Sequence, residues 1–494
     1  MNDVIQIHPN DSVAVALRQL RKGEAVTAGT VSVTVLEDIP RGHKIALRPI
    51  TKGEAVRKYG VAIGHAVRDI PAGAHVHTHN MQTNLSGEEE YTYRPADCRL
   101  TPRPAETFQG FLRKDGQAGI RNEVWILPTV GCVNDVARRL AADNQDLLQG
   151  TAVDGIYAFT HPYGCSQSGA DHAQTRRLLA ALTRHPNAGA VLVLHLGCEN
   201  LTHGQFVEEL GDYDPERVRF LTCQQVDDEF SAGRKLLQEC VAFAGQFRRQ
   251  PLPASKLVVG LKCGGSDGLS GITANPAVGR FSDLLLAEGG STILTEVPEM
   301  FGAESMLLDR CVSPEVFQKA AAMLNGFKDY FLSHHTVVYE NPSPGNKAGG
   351  ISTLEDKSCG CVQKGGTAPV SDVLGYGERV RTPGLSLLYG PGNDLISSTA
   401  LAAAGAQLIL FTTGRGTPFG TPVPTLKIAS NSELAEYKPG WIDFNAGTVA
   451  EGETLDQAGR RLLQLALETA GGNRSKNELN GYRGIAIFKD GVSL

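Results

Sequence analysis

The chain has 494 residues, too many for one ordinary hydrophobic core, so we expect roughly two to four domains. Its 41% hydrophobic and 20% charged residues are typical of a globular protein, and its net charge of −6 argues against a nucleic-acid-binding protein, which usually carries a basic surface. No apolar run is long enough to span a bilayer, and the N-terminal stretch MNDVIQIHPNDS lacks the pattern of a signal peptide. We therefore expect a cytoplasmic protein with reduced cysteines, and neither a membrane nor a nucleic acid as a partner.

A short repeat organises residues 1–80. Four segments share the form apolar-x-x-Gly-x-x-apolar, and their central glycines are Gly23, Gly42, Gly53 and Gly73. Glycine at such a position is typical of a tight turn between two short β segments. The repeat therefore predicts a small all-β domain at the front of the chain.

Three histidines alternate near the end of this domain, at His75, His77 and His79, and Asn80 follows them. On a strand, alternate side chains point to the same face. One interpretation is an exposed polar strand face. The other is the wall of an active site, because imidazole exchanges protons near neutral pH. Two further candidates for proton transfer lie earlier in the domain: His43 and Lys58.

The rest of the chain divides into three parts. Residues 81–105 are charged and contain prolines, which predicts an extended and mobile linker. Residues 106–250 alternate apolar strands with amphipathic helices, and we interpret them as a middle α/β portion. Residues 251–494 continue the same alternation as a C-terminal α/β portion. Strands joined by helices predict a mostly parallel sheet.

Several cysteines follow directly after apolar strands. The carboxyl ends of parallel strands are where open α/β sheets bind ligands, and thiolates favour iron, zinc or an iron–sulfur cluster. No local spacing selects one metal, and buried structural thiols are the alternative interpretation. The candidate metal ligands are Cys132, Cys165, Cys198, Cys263 and Cys361.

Polar residues in the same loops are candidates for binding a substrate. Arg415 is suited to a bidentate contact with a carboxylate, although a surface salt bridge is an equal alternative. Lys347 lies in a polar, glycine-rich section, residues 340–366, whose length suggests a functional loop. A solvated loop lysine is the alternative for that residue. The remaining substrate-binding candidates are Asn200 and Ser266, with His75 and Asn80 from the first domain.

Many of these stretches resemble the altronate/galactarate dehydratase family. The resemblance rests on GHKIAL, AGAHVHTHN, TVGCVN, HPYGCSQ, GCEN, CGGSDGLSGITANPAVGRFSD, ENPSPGNKAGGISTLEDKS and TGRGTPFG, and it extends over nearly the whole chain. It implies a β-clip (SAF-like) domain, a linker, a middle portion and a Rossmann-like domain with a metal site. It also implies a homodimer, with residues 106–250 as the dimerisation region. The homodimer would need ferrous iron, with Mn²⁺ or an iron–sulfur cluster as alternatives.

The resemblance implies the dehydration of D-altronate to 2-dehydro-3-deoxy-D-gluconate. Such a reaction needs a base for the C2 proton and an acid or Lewis acid at the C3 hydroxyl. We expect the cysteines to hold the metal and the catalytic proton transfers to involve His43, Lys58, His77 or His79. The alternatives are a dehydratase of galactarate or another sugar acid, and a sugar-acid-binding protein without turnover.

Overall fold

A computed structural model describes residues 3–87 and 89–494. The first domain consists of short antiparallel strands in three sheets, ordered β1-β2-β5-β8, β3-β4 and β6-β7-β9. Their bounds are β1 Val4–Ile5, β2 Val13–Ala16, β3 Ala25–Ala28, β4 Val31–Thr34, β5 Lys44–Ala46, β6 Ala55–Lys58, β7 Val61–Ala66, β8 His75–Val76 and β9 Met81–Gln82.

The repeated glycines occupy equivalent turns of this domain. Gly23, Gly42, Gly53 and Gly73 have φ angles of 88°, 81°, 84° and 83°, a region that side chains other than glycine rarely adopt. Each turn lets one short strand fold back against the next. The all-β prediction for the first 80 residues is therefore confirmed at the level of its strands and turns.

The segment between the first domain and β10 is extended, as predicted, but it is fixed to the C-terminal domain. The hydroxyl of Tyr93 donates to the carbonyl of Cys311 at 2.6 Å, and the amide of Arg103 donates to the carbonyl of Ala287 at 2.8 Å. These contacts attach the segment to the C-terminal domain, whereas its composition predicted a mobile linker. The prediction considered the polar composition alone and missed the tyrosine that anchors the segment.

The middle domain carries a four-stranded parallel sheet, ordered β13-β12-β14-β15, and a three-stranded antiparallel sheet, ordered β11-β10-β16. β12 and β14 are buried along their whole length, as expected for parallel strands covered on both faces. The bounds are β10 Thr107–Leu112, β11 Ala118–Gly119, β12 Glu123–Pro128, β13 Gly155–Ala158, β14 Ala188–His195, β15 Val218–Thr222 and β16 Gln250–Pro253, with helices α1 Asn134–Asp143, α2 Gly169–Thr183, α3 His203–Leu210 and α4 Glu229–Ala244.

The C-terminal domain is built on a seven-stranded parallel sheet, ordered β19-β20-β18-β17-β21-β22-β23. Its strands are β17 Val258–Cys263, β18 Ser291–Leu294, β19 Val370–Leu374, β20 Gly384–Leu388, β21 Leu408–Thr413, β22 Thr425–Ala429 and β23 Phe444–Asn445. Its helices are α5 Ala274–Ala287, α6 Ser305–Leu308, α7 Pro314–Ser333, α8 Pro344–Ala348, α9 Leu354–Cys361, α10 Asp394–Ala403, α11 Ser432–Tyr437, α12 Leu455–Ala470 and α13 Lys476–Leu479.

Helices α8 and α9 lie inside the polar section that the sequence suggested to be a long loop. The hydroxyl of Ser343 accepts a hydrogen bond from the amide of Asn346, and the hydroxyl of Thr353 accepts one from the amide of Asp356. These contacts cap the first turn of each helix and satisfy amides that have no partner within the helix. The section is therefore partly helical. Within the described residues, no helix is both long and apolar enough to cross a membrane.

Candidate active site

The first domain packs its central turn against two glycine-rich loops of the C-terminal domain. A Cβ atom on Gly268 would lie only 1.9 Å from the carbonyl oxygen of Gly42, so only glycine fits at this contact. A Cβ atom on Gly271 would similarly lie 2.2 Å from the hydroxyl of Tyr59. The glycines of the CGGSDGLSG stretch therefore allow the two backbones to approach closely.

A buried ion triad joins the two domains. Asp356, near the start of α9, accepts from the ammonium group of Lys44 at 2.7 Å and from that of Lys58 at 3.0 Å. All three side chains are almost completely buried. Burial alone would raise the pKa of Asp356, but the two ammonium groups hold that pKa well below its usual range. The triad therefore places a fixed carboxylate between two cations that the first domain supplies.

Three imidazoles lie together beside this triad, and we name His43, His75 and His77 the histidine cluster. Nδ1 of His43 lies 3.0 Å from Nε2 of His75, and the ring centroids of His43 and His77 are 5.0 Å apart. One ring nitrogen of each residue lies within 4.8 Å of one ring nitrogen of both others. Nδ1 of His77 also lies 2.9 Å from the hydroxyl of Ser352, which belongs to the C-terminal domain.

The three imidazoles are uncharged near neutral pH. Burial lowers the pKa of His75 to about 3 and that of His77 to about 4, and neighbouring positive charge on Lys44 and the other imidazoles acts in the same direction. Burial also lowers the pKa of His43. Neutral imidazoles keep a free lone pair, which is the form that binds a metal ion.

The predicted strand of alternating histidines ends early. Only His75 belongs to β8, and a turn follows in which the amide side chain of Asn80 donates to the carbonyl of His75 at 2.8 Å and accepts from the amide of His77 at 2.9 Å. The ring of His79 lies 5.3 Å from that of His75 and is exposed. Asn80 thus shapes the turn that presents the histidines, and its side chain is committed to that turn instead of to a substrate.

Two of the five predicted cysteines also meet, and we name Cys263, Cys361 and Glu299 the thiol cluster. Their sulfur atoms are 3.4 Å apart, and each lies close to Oε2 of Glu299, at 2.9 Å for Cys263 and 3.1 Å for Cys361. Cys263 ends β17 and Cys361 ends α9, so distant parts of the sequence supply this group. All three side chains are buried.

Lysines surround the thiol cluster. Lys364 donates to the sulfur of Cys263 at 2.9 Å, and Lys357 pairs with Glu299 at 2.7 Å. These ammonium groups hold the pKa of Glu299 well below its usual range, although burial opposes them. Three cations, Lys262, Lys357 and Lys364, meet three carboxylates, Glu296, Glu299 and Asp394, around the thiol cluster. The charges of this network therefore balance when both thiols are neutral.

A small pocket connects the ion triad to the thiol cluster, and we name it the interdomain pocket. Among the described residues, the hydroxyl of Ser266 is buried in this region without a hydrogen-bond partner. An unsatisfied buried hydroxyl is costly and favours a polar ligand beside it. The pocket is lined by Lys58, Tyr59, Ser266, Asp267, Ser270, Gly271, Asn275, Ile351, Asp356, Lys357, Gly360 and Cys361.

The other predicted substrate-binding residues lie outside this lining. Arg415 is exposed and donates to the carbonyl of Gly345 at 3.1 Å, and Lys347 is half-buried in α8. Asn200 belongs to the middle domain, where its side-chain oxygen accepts from the amide of Ser166 in the HPYGCSQ loop at 2.7 Å. Asn200 therefore ties two loops of the middle domain together.

The remaining three predicted cysteines, Cys132, Cys165 and Cys198, belong to the middle domain as well. Each follows a strand of the four-stranded sheet and is exposed. The sequence suggested one site for five thiols, whereas the structure distributes them over the carboxyl edges of two different sheets. Cys198 lies 3.4 Å from the side-chain amide of Gln224.

The sequence did not identify several charged residues that the site brings together. Two features of the sequence could have indicated these residues. Lys262 is a charged residue inside the otherwise apolar run of β17, and Asp356 and Lys357 are neighbouring charged residues in the LEDKS stretch. A fully buried charge needs a partner, so a lysine in a buried strand indicates a nearby carboxylate. Its partners, Glu296 and Asp394, come from other loops, and their approach depends on the fold.

Comparison with protein families assigns every domain. The SAF domain model of altronate/galactarate dehydratases matches residues 2–84, the model of the second domain of D-galactarate dehydratase/altronate hydrolase matches residues 110–245, and the model of the C-terminal domain of D-galactarate/altronate dehydratase matches residues 254–493. The chain belongs to the altronate/galactarate dehydratase family. As a member of this family it is a hydro-lyase, and its first domain is a SAF domain.

Full-length relatives distinguish the branches of the family. The chain is 53% identical to altronate dehydratase of Bacillus subtilis (strain 168), over 100% of both chains, and 53% identical to altronate dehydratase of Escherichia coli (strain K12), over 99% of both. It is 34% identical to galactarate dehydratase (L-threo-forming) of Escherichia coli (strain K12), over 98% of this chain and 96% of that one.

A further relative distributes the same parts over two subunits. The beta subunit of (2R)-sulfolactate sulfo-lyase from Chromohalobacter salexigens is 33% identical over 78% of this chain and 97% of its own length. The alpha subunit of that enzyme is 46% identical over 54 residues, which are 11% of this chain and 57% of the subunit.

Proposed function

We propose that the protein converts D-altronate to 2-dehydro-3-deoxy-D-gluconate and water. The observation that carries this proposal is the 53% identity to two altronate dehydratases over essentially the full length, against 34% to the galactarate enzyme. The matched lengths extend over all three domains and so include both walls of the interdomain pocket. The chemistry of the site supports the same reaction.

The interdomain pocket holds about 10 Å³ in this structure, the space of one water molecule, so an acyclic hydroxy acid would bind there only after the two walls separate. Lys58 and Lys357 supply positive charge next to a substrate carboxylate, and the unpaired hydroxyl of Ser266 is available to a substrate hydroxyl. Asp356 and Glu299 hold these two cations in place. Groups of this kind reject ligands that lack matching hydroxyls, because the polar groups of the site would then remain unpaired.

We propose the histidine cluster as the place for the divalent ion, ferrous iron or Mn²⁺. Imidazole is a ligand for iron, the three rings are neutral, and His75 and His77 are only partly buried, so an ion there remains accessible to a substrate. The thiol cluster fits less well, because Lys364 already contacts Cys263 and because the network is balanced without an added cation. When bound, the ion supplies a Lewis acid for the oxygen atoms of the substrate.

The bond changes follow from the substrate. A base removes the proton from C2, the electron pair forms a C2–C3 double bond, and the C3–O bond breaks, so that the hydroxyl leaves as water after protonation. The resulting enol takes up a proton at C3 and becomes the 2-keto product. We propose His79 for proton transfer, because it is the exposed imidazole beside the histidine cluster.

The proposal includes the finer features that the family resemblance implies. We infer that the SAF domain is a β-clip and that the seven-stranded sheet is a Rossmann-like variant. We also propose a homodimer that acts in the cytoplasm on a small sugar acid. The strand order around β17 supports the inference of a Rossmann-like sheet, because helices join parallel neighbours in this sheet.

A coupled assay tests the proposed reaction. Purified protein is supplied with ferrous iron and a reductant under anaerobic conditions, and formation of the 2-keto-3-deoxy product is measured with D-altronate and with galactarate. We expect kcat/KM to be higher for D-altronate. A higher value for galactarate would contradict the substrate assignment, and binding of both acids without any product would indicate a non-catalytic binding protein.

A further inference from the structure

A large basic cavity lies between the middle and C-terminal domains, far from the proposed active site. It consists of two connected spaces of about 1080 and 380 Å³, and we name it the seam cavity. The two spaces share four lining residues: Gln117, Arg184, Pro186 and Arg379. Arg184 follows α2 of the middle domain, whereas Arg379 precedes β20 of the C-terminal domain, so both domains form its walls.

Six arginines line the seam cavity, and within residues 3–87 and 89–494 none of their guanidinium groups forms an ion pair within 4.0 Å. Six carboxylates also belong to the lining: Glu209, Asp214 and Asp372 pair with Arg176, Lys114 and Lys319, whereas Asp115, Asp212 and Glu378 form no ion pair within 4.0 Å among the described residues. The six arginines are Arg113, Arg177, Arg184, Arg217, Arg379 and Arg381.

Arg217 and Arg379, which are half-buried, are held by uncharged oxygens. The guanidinium of Arg379 donates to the carbonyl of Arg184 at 3.1 Å and to the side-chain oxygen of Gln117 at 2.6 Å. The guanidinium of Arg217 donates only to backbone carbonyls, at 2.9 to 3.0 Å. Desolvation and the neighbouring Arg217 and Arg184 lower the pKa of Arg379 to about 10, although the carboxylate of Asp115 acts in the opposite direction. Buried cations without a counter-charge are expensive, and an anion would remove that cost.

We propose that the seam cavity binds a small organic polyanion, a phosphate ester or a polycarboxylate, which contacts both domains at once. Guanidinium groups match phosphate and carboxylate oxygens in bidentate geometry, and several of them converge on this space. The space exceeds what a single inorganic anion fills, because cavities of about 300–1,000 Å³ accommodate organic ligands.

The seam cavity lies at the opposite end of β17 from the proposed active site. Val258 and Gln407 line the cavity next to the beginnings of β17 and β21, whereas Cys263 ends β17 at the proposed active site. The length of β17 therefore separates the seam cavity from the proposed active site by roughly 20 Å. A ligand in the seam cavity therefore cannot touch the substrate, and it acts by fixing the middle domain against the C-terminal domain.

Binding measurements on the full-length protein test the proposal at constant ionic strength. The probes are glucose 6-phosphate, citrate, inorganic phosphate and uncharged glucose, with isothermal titration calorimetry and thermal unfolding as readouts. We expect glucose 6-phosphate or citrate to bind and raise the Tm, and these two probes distinguish the phosphate ester from the polycarboxylate. Binding of neither probe, or equal affinity for inorganic phosphate, would overturn the proposal.

Variants of two exposed arginines locate the binding. The double variant R177Q/R381Q removes two cavity charges from the surface without disturbing the buried arginines, and R460Q removes an exposed arginine of α12 as a control. We expect the double variant to bind the anion at least about tenfold more weakly, and R460Q to bind it like the unaltered protein. Equal affinity in all three proteins would overturn the assignment, as would a change of oligomeric state in the double variant with unchanged anion affinity.

Dehydratase activity separates this proposal from the proposed function. R177Q/R381Q retains the whole interdomain pocket, so its turnover of D-altronate without added anion should equal that of the unaltered protein. Anion binding is measured without turnover, so failure of the seam-cavity proposal and failure of the proposed dehydratase function give different results.

Discussion

At the scale of single residues, Asp356 is the clearest case of a side chain whose role depends on the assembled domains. It neutralises Lys44 and Lys58, which come from a different domain, and all three side chains are buried. The sequence predicted Lys58 as a catalytic candidate, but its partner lies 298 positions away in the chain. No local pattern reveals such a pair.

Removing the charge of Asp356 should destabilise the protein. In Asp356→Asn, two buried ammonium groups lose their counter-charge, and we expect the free energy of unfolding to fall by about 3–5 kcal/mol. Urea denaturation measures this decrease. Asp135→Asn, which removes an exposed carboxylate paired with Arg138, should cost less than about 1 kcal/mol. Equal effects of the two substitutions would show that the triad contributes no more than a surface pair.

The metal proposal also rests on individual residues. We expect His77→Ala to lose bound iron, because it removes one of the three imidazoles of the histidine cluster, and Cys361→Ser to retain it. His65→Ala, in the same domain but outside the cluster, is the matched control. Iron content after anaerobic loading and desalting gives the answer. Loss of iron in Cys361→Ser but not in His77→Ala would assign the ion to the thiol cluster.

At the scale of secondary structure, the apolar runs predicted the parallel strands well. β12, β14, β17 and β21 all appear where continuous apolar sequence placed them. Helices α8 and α9 were harder to predict from the sequence, because a helix of buried polar residues has no apolar stripe that a sequence pattern could reveal. Tertiary contacts with the SAF domain replace that stripe.

The connection between α2 and β14 predicts a pH-dependent stability. His185 is buried there, where Nε2 lies 3.0 Å from the carbonyl of Ala406 and Nδ1 accepts from the amide of Asn187. Burial, together with the arginines Arg113, Arg217 and Arg379, lowers its pKa to about 3, against about 6.5 in an unfolded chain. Between these values the unfolded state binds a proton that the native state does not, so stability is complete above pH 6.5 and falls as the pH decreases.

The variant His185→Gln should reduce this dependence. Glutamine has no proton to gain in this range, so the slope of unfolding free energy against pH should fall by as much as about 1.4 kcal/mol per pH unit between pH 4.5 and 6. Urea denaturation at several pH values provides the slope. An unchanged slope would show that the unfolded state gains no additional proton at this position.

At the scale of the whole molecule, the site is formed where separate domains meet. The sequence predicted an all-β domain, a middle portion and a C-terminal portion, and the family resemblance implied that the first is a SAF domain; the family models match residues 2–84, 110–245 and 254–493. The meeting of the histidines with α9, and the separation of the thiols onto two sheets, could not be predicted. Both depend on how domains pack, which no repeat or spacing within one domain encodes.

The same architecture predicts that the SAF domain associates without a covalent linker. We expect fragments 1–90 and 91–494, expressed together, to purify as a stable complex, because the ion triad and the glycine contacts join them. Asp356→Asn in the larger fragment should weaken the complex. Stable fragments that do not associate would contradict this view of the interface.

The central claim is that the SAF domain supplies the histidines that bind the metal ion of a dehydratase site. The location of the ion tests this claim most directly. Crystals of the protein loaded anaerobically with ferrous iron can be measured above and below the iron absorption edge. Our account predicts an anomalous peak at coordination distance from ring nitrogens of His43, His75 and His77. A peak at Cys263 and Cys361, or at Cys132, Cys165 and Cys198 of the middle domain, would contradict it.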